Sequence, residues 1–227
     1  MPLSTETNGT AASEVLAGGA GNDLITGGNG TDTINGGTGN DTLNGGTGPS
    51  DLRDVIFGGD GNDVIDGGYG NDELNGGNGN DIIIGGFGAD TLIGNEGNDQ
   101  LSGGALGDVP FGGAGNDFLN GGFGFDRLNG GADADTFYHL GVADHGSDWV
   151  QDYDALEGDV LRIGLNNATR DQFQLNRANT ANAGDADVDE LFVIYRPTGQ
   201  IIWALVDGNG QDAINLQIGA DVFDLMS

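Results

Sequence analysis

A nine-residue repeat governs more than half of this chain. The pattern Gly-Gly-x-Gly-x-Asp-x-apolar-x begins at Gly18 and ends at Tyr138, and thirteen units keep their phase apart from one insertion, Pro49 to Leu52. A flexible glycine-rich linker has no physical reason to keep an aspartate and an aliphatic residue in fixed register. The repeat therefore predicts a solenoid in which every unit contributes one turn and one strand.

Each unit carries the same two informative side chains. The sixth position is aspartate throughout: Asp23, Asp32, Asp41, Asp54, Asp63, Asp72, Asp81, Asp90, Asp99, Asp108, Asp117, Asp126 and Asp135. The eighth position is apolar throughout: Ile25, Ile34, Leu43, Ile56, Ile65, Leu74, Ile83, Leu92, Leu101, Pro110, Leu119, Leu128 and Phe137. Glycines permit the tight turn. The last three residues alternate outward, inward and outward, which predicts a three-residue strand with one core side chain.

The charge balance points to a metal cation. The 227 residues include 36 acidic and only six basic side chains, for a formal net charge of -30. This excess argues against nucleic acid or an anionic membrane as a partner, and it opposes compaction unless cations neutralise it. Cysteine is absent, which excludes thiolate zinc and iron–sulfur sites. No apolar run reaches the roughly 20 residues of a membrane helix, so we expect no membrane insertion.

The thirteen units resemble the RTX, or hemolysin-type, calcium-binding repeat family over residues 18–138. The resemblance implies an all-β, right-handed parallel β-roll with 18 residues, or two units, per rung. It also implies several calcium ions, each held by aspartates and turn carbonyls of two successive rungs.

A rung of two units stacks each unit on the second one after it, so the aspartates should form two columns. Odd units contribute Asp23, Asp41, Asp63, Asp81, Asp99, Asp117 and Asp135; even units contribute Asp32, Asp54, Asp72, Asp90, Asp108 and Asp126. Neighbouring carboxylates about 4.8 Å apart repel each other, and a calcium ion between them turns this repulsion into attraction. Six odd gaps and five even gaps set a ceiling of eleven sites. We expect the even column to lose sites at the fourth unit, which carries the insertion, and at the tenth, which has Leu106 and Pro110.

The two ends differ from the repeats. Residues 1–17 are a short tail or a first partial rung, and residues 139–227 form a β-rich cap. Strand-like alternation surrounds Trp149 and Val160, and a β-meander is expected with strands at about 191–195, 200–206 and 213–218.

Two polar clusters in the cap leave alternatives open. Asp185 to Glu190 is either a further calcium site or an acidic loop. His139 and His145, beside Asp144, form a catalytic or transition-metal site, or an ordinary polar turn.

The motifs predict a protein that is not an enzyme. The sequence has no H-E-x-x-H, G-x-S-x-G or P-loop motif, and only 17 residues precede the repeats. The N-terminus lacks the basic and apolar regions of a signal peptide. The RTX resemblance implies an extracellular or cell-surface protein exported by a type I system, with residues 220–227 as the candidate signal.

Two non-enzymatic functions remain. One is a secreted structural protein that calcium folds, and the other is a monomeric calcium-dependent binding or adhesion module, or a calcium sink. Apolar side chains gather in the even units: Tyr69, Phe87 and Phe123 at the third position, Phe57, Ile93 and Phe111 at the ninth, and Phe125. They predict self-association through the even edge into a homo-oligomer, sheet or filament.

Overall fold

Two parallel sheets built from alternate repeats form the body of the protein. The computed structural model describes residues 4–142, 145–165, 167–178, 189–206 and 211–227. Strands from odd units pair only with one another, and so do strands from even units, each two units apart. Ile56 pairs with Leu74, for example, 18 residues later. The predicted parallel β-roll, with two units per rung, is confirmed.

Each sheet has eleven strands in the described residues. The first sheet contains β1 (Glu6–Asn8), β3 (Leu24–Thr26), β5 (Thr42–Asn44), β7 (Val64–Tyr69), β9 (Ile82–Phe87), β11 (Gln100–Ala105), β13 (Phe118–Phe123), β15 (Thr136–His139), β17 (Val160–Ile163), β21 (Asn215–Ile218) and β22 (Asp221–Asp224). The second contains β2 (Val15–Ala20), β4 (Thr33–Thr38), β6 (Val55–Asp60), β8 (Glu73–Asn78), β10 (Thr91–Glu96), β12 (Val109–Ala114), β14 (Arg127–Ala132), β16 (Asp148–Val150), β20 (Gln200–Leu205), β19 (Glu190–Tyr195) and β18 (Phe173–Ala178).

The core of the roll is a narrow column of aliphatic side chains. From Ile25 to Leu101 the eighth-position residues are at most 1% exposed, and they pack against one another between the sheets. One core side chain per nine residues buries little apolar surface for each residue that must be ordered. The aliphatic core by itself therefore stabilises the roll only weakly.

Most strands are six residues long, so the expected three-residue strands were too short. The strand runs on through the Gly-Gly-x of the following unit, as where Gly59 pairs with Gly77. Gly59 has a φ of +113°, and a Cβ added there would collide with the carbonyl oxygen of Gly37. Glycine thus lets the backbone turn and still approach the next rung closely.

The tenth unit keeps its place despite Leu106 and Pro110. Pro110 lies in β12 opposite Leu92 of β10, but the register of β12 with β14 begins only at Phe111. Proline has no N–H to donate. Pro110 therefore interrupts the hydrogen-bond ladder between β12 and β14 once, and β12 continues beyond it.

Replacing Leu106 with glycine is expected to stabilise the folded protein. Leu106 has a φ of +90° at the fourth turn position, where Gly88 and Gly124 take φ of +151° and +154°. Relief of this left-handed conformation favours glycine by about 1–2 kcal/mol, and the greater freedom of unfolded glycine offsets part of that gain. Thermal unfolding in saturating calcium should show a midpoint raised by about 2–4 °C.

Gly115→Ala is the matched control for that substitution. Gly115 has a φ of +119°, and its added Cβ would collide with Gly97 O. The midpoint of thermal unfolding should fall for Gly115→Ala. A fall for Leu106→Gly as well would contradict the interpretation of Leu106 as strained.

The cap continues both sheets and then closes them. The strands expected around Trp149 and Val160 are β16 and β17, and β19 and β20 form the expected antiparallel hairpin. The third strand of the predicted meander is placed wrongly, because β21 pairs in parallel with β17 in the other sheet. Leu216 thereby continues the core column over Leu161, which covers the last rung.

β1 lies before the first repeat, and β2 begins before it and ends within it, at Ala20. β1 pairs in parallel with β3, and β2 with β4, so residues 6–20 form an additional rung. The domain boundaries assigned from sequence stay a prediction. In the described residues, no helix has the length and apolar character needed to span a membrane.

Candidate metal centre

The thirteen repeat aspartates form two continuous ladders, one along each edge of the roll. The backbone N–H of each aspartate donates to Oδ1 of the aspartate one rung further along the same column, with N–O distances of 2.7–2.9 Å. The odd ladder has six such bonds, and the even ladder has five. The structure thus assembles the odd and even sets as two separate columns.

The second carboxylate oxygen of every repeat aspartate is buried and lacks a partner. All thirteen side chains are at most 3% exposed, and each Oδ2 has no hydrogen-bond partner in the part of the chain that the structure describes. A buried carboxylate oxygen without a partner is costly. The columns therefore present a row of oxygens that need a donor or a cation.

Backbone carbonyls approach the same oxygens. A Cβ added at Gly67, the first position of its unit, would lie 2.6 Å from Asp72 Oδ2 and 2.7 Å from Gly85 O of the next rung. Both oxygens face space that only glycine leaves open. Most first-position glycines between Gly27 and Gly112 show the same two oxygens, so oxygens from two successive rungs converge at these turns.

Burial is the largest cause of a raised pKa at most of these carboxyl groups, and at several of them the charge of a column neighbour is a smaller cause. The raised pKa is about 6 for Asp63, Asp81 and Asp90, about 7 for Asp54, Asp72, Asp108 and Asp117, and about 8 for Asp135. The pKa values of Asp32, Asp41, Asp99 and Asp126 are also raised, with burial as the largest cause. The ionised, metal-free columns are therefore unfavourable near neutral pH.

Four segments of the chain match the family model of the RTX calcium-binding nonapeptide repeat. They are residues 8–43, 50–83, 75–109 and 111–145, which together cover more than half of the chain. This chain belongs to the RTX calcium-binding repeat family. The resemblance found in the sequence is confirmed, and its RTX repeats are the segments that build the two columns.

Other comparisons add little to the RTX assignment. Curated proteins provide no significant match. Among solved structures, the chain is similar to the extracellular lipase LipA from Serratia marcescens, with a TM-score of 0.29 and 20% identity over 86% of this chain and 38% of the lipase. The chain therefore spans well under half of the lipase.

The RTX columns fit calcium in the chemistry of their donors. Calcium takes six to eight oxygen ligands from carboxylates, carbonyls and water. No group of three acidic, histidine or cysteine side chains suited to a metal occurs in the described residues. Each ion would therefore be held by two column neighbours, such as Asp63 and Asp81, together with turn carbonyls. When bound, it supplies the positive charge that the buried carboxylates lack.

The two irregular RTX units keep their aspartates in register. Asp32 N donates to Asp54 Oδ1 at 2.7 Å across the insertion, and Asp90 N donates to Asp108 Oδ1 at 2.8 Å. The ladder geometry is thus the same as in regular units. Lower calcium occupancy at the fourth and tenth units stays a prediction.

Sequence reasoning missed three carboxylates next to the columns. Asp51, in the insertion, is buried with Oδ2 unpartnered in the described structure. Asp159 extends the odd column, since Asp135 N donates to its Oδ1 at 2.9 Å, and Asp148 follows Asp126 in the even column. The Asp-x-apolar triplets that begin at Asp148 and Asp159 were a usable signal, although both lack the preceding Gly-Gly.

The two histidines, His139 and His145, are both buried. His139 is fully buried, and its Nδ1 accepts a hydrogen bond from Gly141 N at 2.8 Å. The ring of His145 lies 4.7 Å away, edge to face. Burial lowers the pKa of His139 to about 4, so the ring is neutral near pH 7. Asp144 lies outside the described residues, and both interpretations of this cluster, a polar turn or a catalytic or transition-metal site, stay predictions. Of the acidic cluster at 185–190, residues 185–188 lie outside the described residues, and Glu190 is buried at the start of β19.

Asp81→Ala is expected to remove up to two calcium ions per chain. Asp81 donates to Asp99 and accepts from Asp63 in the odd ladder, so it borders two gaps. Asp60→Ala is the matched control, because Asp60 is exposed and lies outside both columns. Equilibrium dialysis with calcium should give a lower stoichiometry for Asp81→Ala only. Equal values for both variants would contradict the column arrangement.

Proposed function

We propose that this chain is a secreted calcium-binding β-roll protein that folds on extracellular calcium and self-associates into a surface or matrix structure, without enzymatic activity of its own. The observation that best supports calcium binding is the row of buried, unpartnered Oδ2 atoms in both columns. RTX repeat proteins are typically secreted, and low cytosolic calcium would leave such a chain unfolded until export. The C-terminal signal for type I export belongs to this proposal.

An exposed aromatic row along one edge supports self-association. Tyr69 and Phe87 end neighbouring strands β7 and β9, pair in register, and stack with ring centroids 4.7 Å apart. Phe87 is 58% exposed and Phe125 is 73% exposed. We call Tyr69, Phe87, Phe123 and Phe125 the aromatic edge. A row of this kind on a chain of net charge -30 is suited to bury itself against another copy once calcium lowers the repulsion.

The ninth-position residues belong to a different surface. Phe57, Ile93 and Phe111 lie within β6, β10 and β12, on the outer face of the second sheet. Because these strands continue beyond the ninth position into the following Gly-Gly-x, the three residues lie in the middle of a strand and not at a turn. They are left out of the proposed interface.

Light scattering of the full chain in calcium tests the assembly. The wild type should grow in mass with protein concentration, and Phe87→Ser with Phe125→Ser should remain monomeric while keeping its calcium-induced β signal. The matched control is Phe57→Ser with Phe111→Ser, which makes the same changes on the second sheet and should still assemble. Phe123 is left unchanged because its ring contacts His145 at 4.3 Å and helps to seat the cap.

The alternative is a monomeric calcium-dependent binding module. A cleft of about 460 Å³ lies beside the aromatic edge, lined by Phe125, His145, Ser147, Thr198 and Gln200 among others. An aromatic side chain with several polar groups is a usual lining for a small ligand. If the wild type stays monomeric in calcium at high concentration, the assembly part of the proposal fails and this alternative replaces it.

A further inference from the structure

The even column does not end with the last RTX repeat. Asp148, on β16, is 1% exposed, and both of its carboxylate oxygens lack a hydrogen-bond partner in the described residues. Its carboxyl group faces that of Asp126, the last aspartate of the even column. The family match ends at residue 145, before this position. A buried like-charged pair without a donor needs a cation or a proton.

The backbone around Asp148 repeats the geometry of an RTX turn. Trp149 N donates to Asp126 O at 2.8 Å, just as Arg127 N donates to Asp108 O at 2.9 Å one rung earlier. Gly146 has a φ of +110° and forms a parallel bridge with Gly124, which holds the fourth position of its turn. The chain thus builds another even half-rung although the first two glycines are missing.

The odd column closes in a different way. Asp159 receives Asp135 N on Oδ1, but its Oδ2 accepts the backbone N–H of Asp154 at 2.8 Å. A backbone donor therefore satisfies the last odd carboxylate. The contacts of the Asp148 carboxyl group come from Asp126 itself, so the even column ends in two buried acidic groups that face each other.

We propose that a further calcium ion binds between Asp126 and Asp148, one rung beyond the repeats, and joins the roll to its cap. The inference rests on the proposed calcium-binding function. Carboxylate oxygens select a hard cation such as calcium over softer metals. β16 pairs with β14 of the roll on one side and with β20 of the cap on the other. An ion held there therefore stabilises the strand that links the two parts.

The two tryptophans of the chain provide a local probe. Trp149 follows Asp148 directly, and Trp203 pairs with Asp148 in the β16–β20 register. Terbium replaces calcium at oxygen sites, and a nearby excited tryptophan sensitises its luminescence. Terbium titrated into the full-length protein should therefore give strong tryptophan-sensitised emission.

Asp148→Asn should lose a large part of that emission and bind one calcium ion fewer, while keeping the calcium-induced β signal. Asp81→Asn is the control, because it lies far along the odd column and should lose calcium while retaining the emission. Asp159→Asn should also retain the emission. Wild-type emission and stoichiometry in Asp148→Asn would overturn the proposal.

The outcomes separate this site from the function on which it rests. If wild-type protein binds no calcium and does not gain β structure, the proposed function fails. If wild type and Asp148→Asn fold alike in calcium and emit alike with terbium, only the additional site fails. If Asp148→Asn does not fold, Asp148→Glu decides: restored folding, stoichiometry and emission support the site, and their loss in a folded Glu variant contradicts it.

Discussion

Chelation of calcium is expected to convert the roll to coil. The aliphatic core is only one side chain wide, and the Oδ2 atoms of thirteen aspartates are buried without partners in the described structure. Removing the cations leaves rows of like charges in a site that water does not reach, which favours the unfolded chain. Circular dichroism in excess chelator should show mostly coil. Calcium at roughly 10⁻⁴–10⁻³ M, the range of extracellular modules, should restore the β spectrum.

Magnesium is the control for this experiment. It is smaller, prefers near-ideal octahedral geometry and gives up its water reluctantly, so the same concentration should restore little β structure. Recovery with magnesium equal to that with calcium would attribute the effect to general charge screening. A full β spectrum in chelator would contradict the dependence on metal altogether.

Acidification should partly replace calcium. The pKa values of the column aspartates are raised by burial to about 6 for Asp81, about 7 for Asp72 and about 8 for Asp135, from an ordinary value near 3.8. A raised pKa in the folded state means that protonation stabilises that state. This stabilisation is complete below about pH 4 and is lost as the pH rises through about 6 to 8.

In chelator, the β signal should therefore increase as the pH falls from about 8 to about 5, which stays above the sequence pI of about 4.1. With calcium present, the β signal should instead decrease as the pH falls, because protons compete for the same oxygens and the apparent calcium affinity falls in acid. Circular dichroism across this range with and without calcium measures both trends. A metal-free β signal that decreases on acidification would show that carboxylate repulsion does not keep the roll unfolded.

Much of the roll could be predicted because the turn glycines, the aspartate and the apolar core residue recur at the same positions of every nine-residue unit. The spacing of the aspartates fixed the pairing of Asp63 with Asp81, and the eighth-position residues fixed the core. Strand length was misjudged because a glycine with positive φ, such as Gly59, is normally taken as the end of a strand. In a stacked roll, the same residue continues the ladder.

The cap was harder to predict because its partners are distant in sequence. β19 and β20 form a local hairpin, which their alternation and the turn at Arg196 indicated. β21 instead pairs with β17, more than fifty residues earlier, because the open end of the first sheet requires a cover. Asp148 was missed for a related reason, since its turn keeps the geometry of a repeat and Gly146 but not the first two glycines.

The number of calcium ions bound per folded chain tests the central claim most directly. The ladders contain six odd gaps and five even gaps, so the repeats hold at most eleven ions, with one more for Asp126 and Asp148. Equilibrium dialysis of the purified full chain, with metal measured by atomic absorption, gives this number. The account predicts many ions per chain, approaching that ceiling, and their release together with the β signal. Binding of one ion or none by a fully folded chain would contradict it.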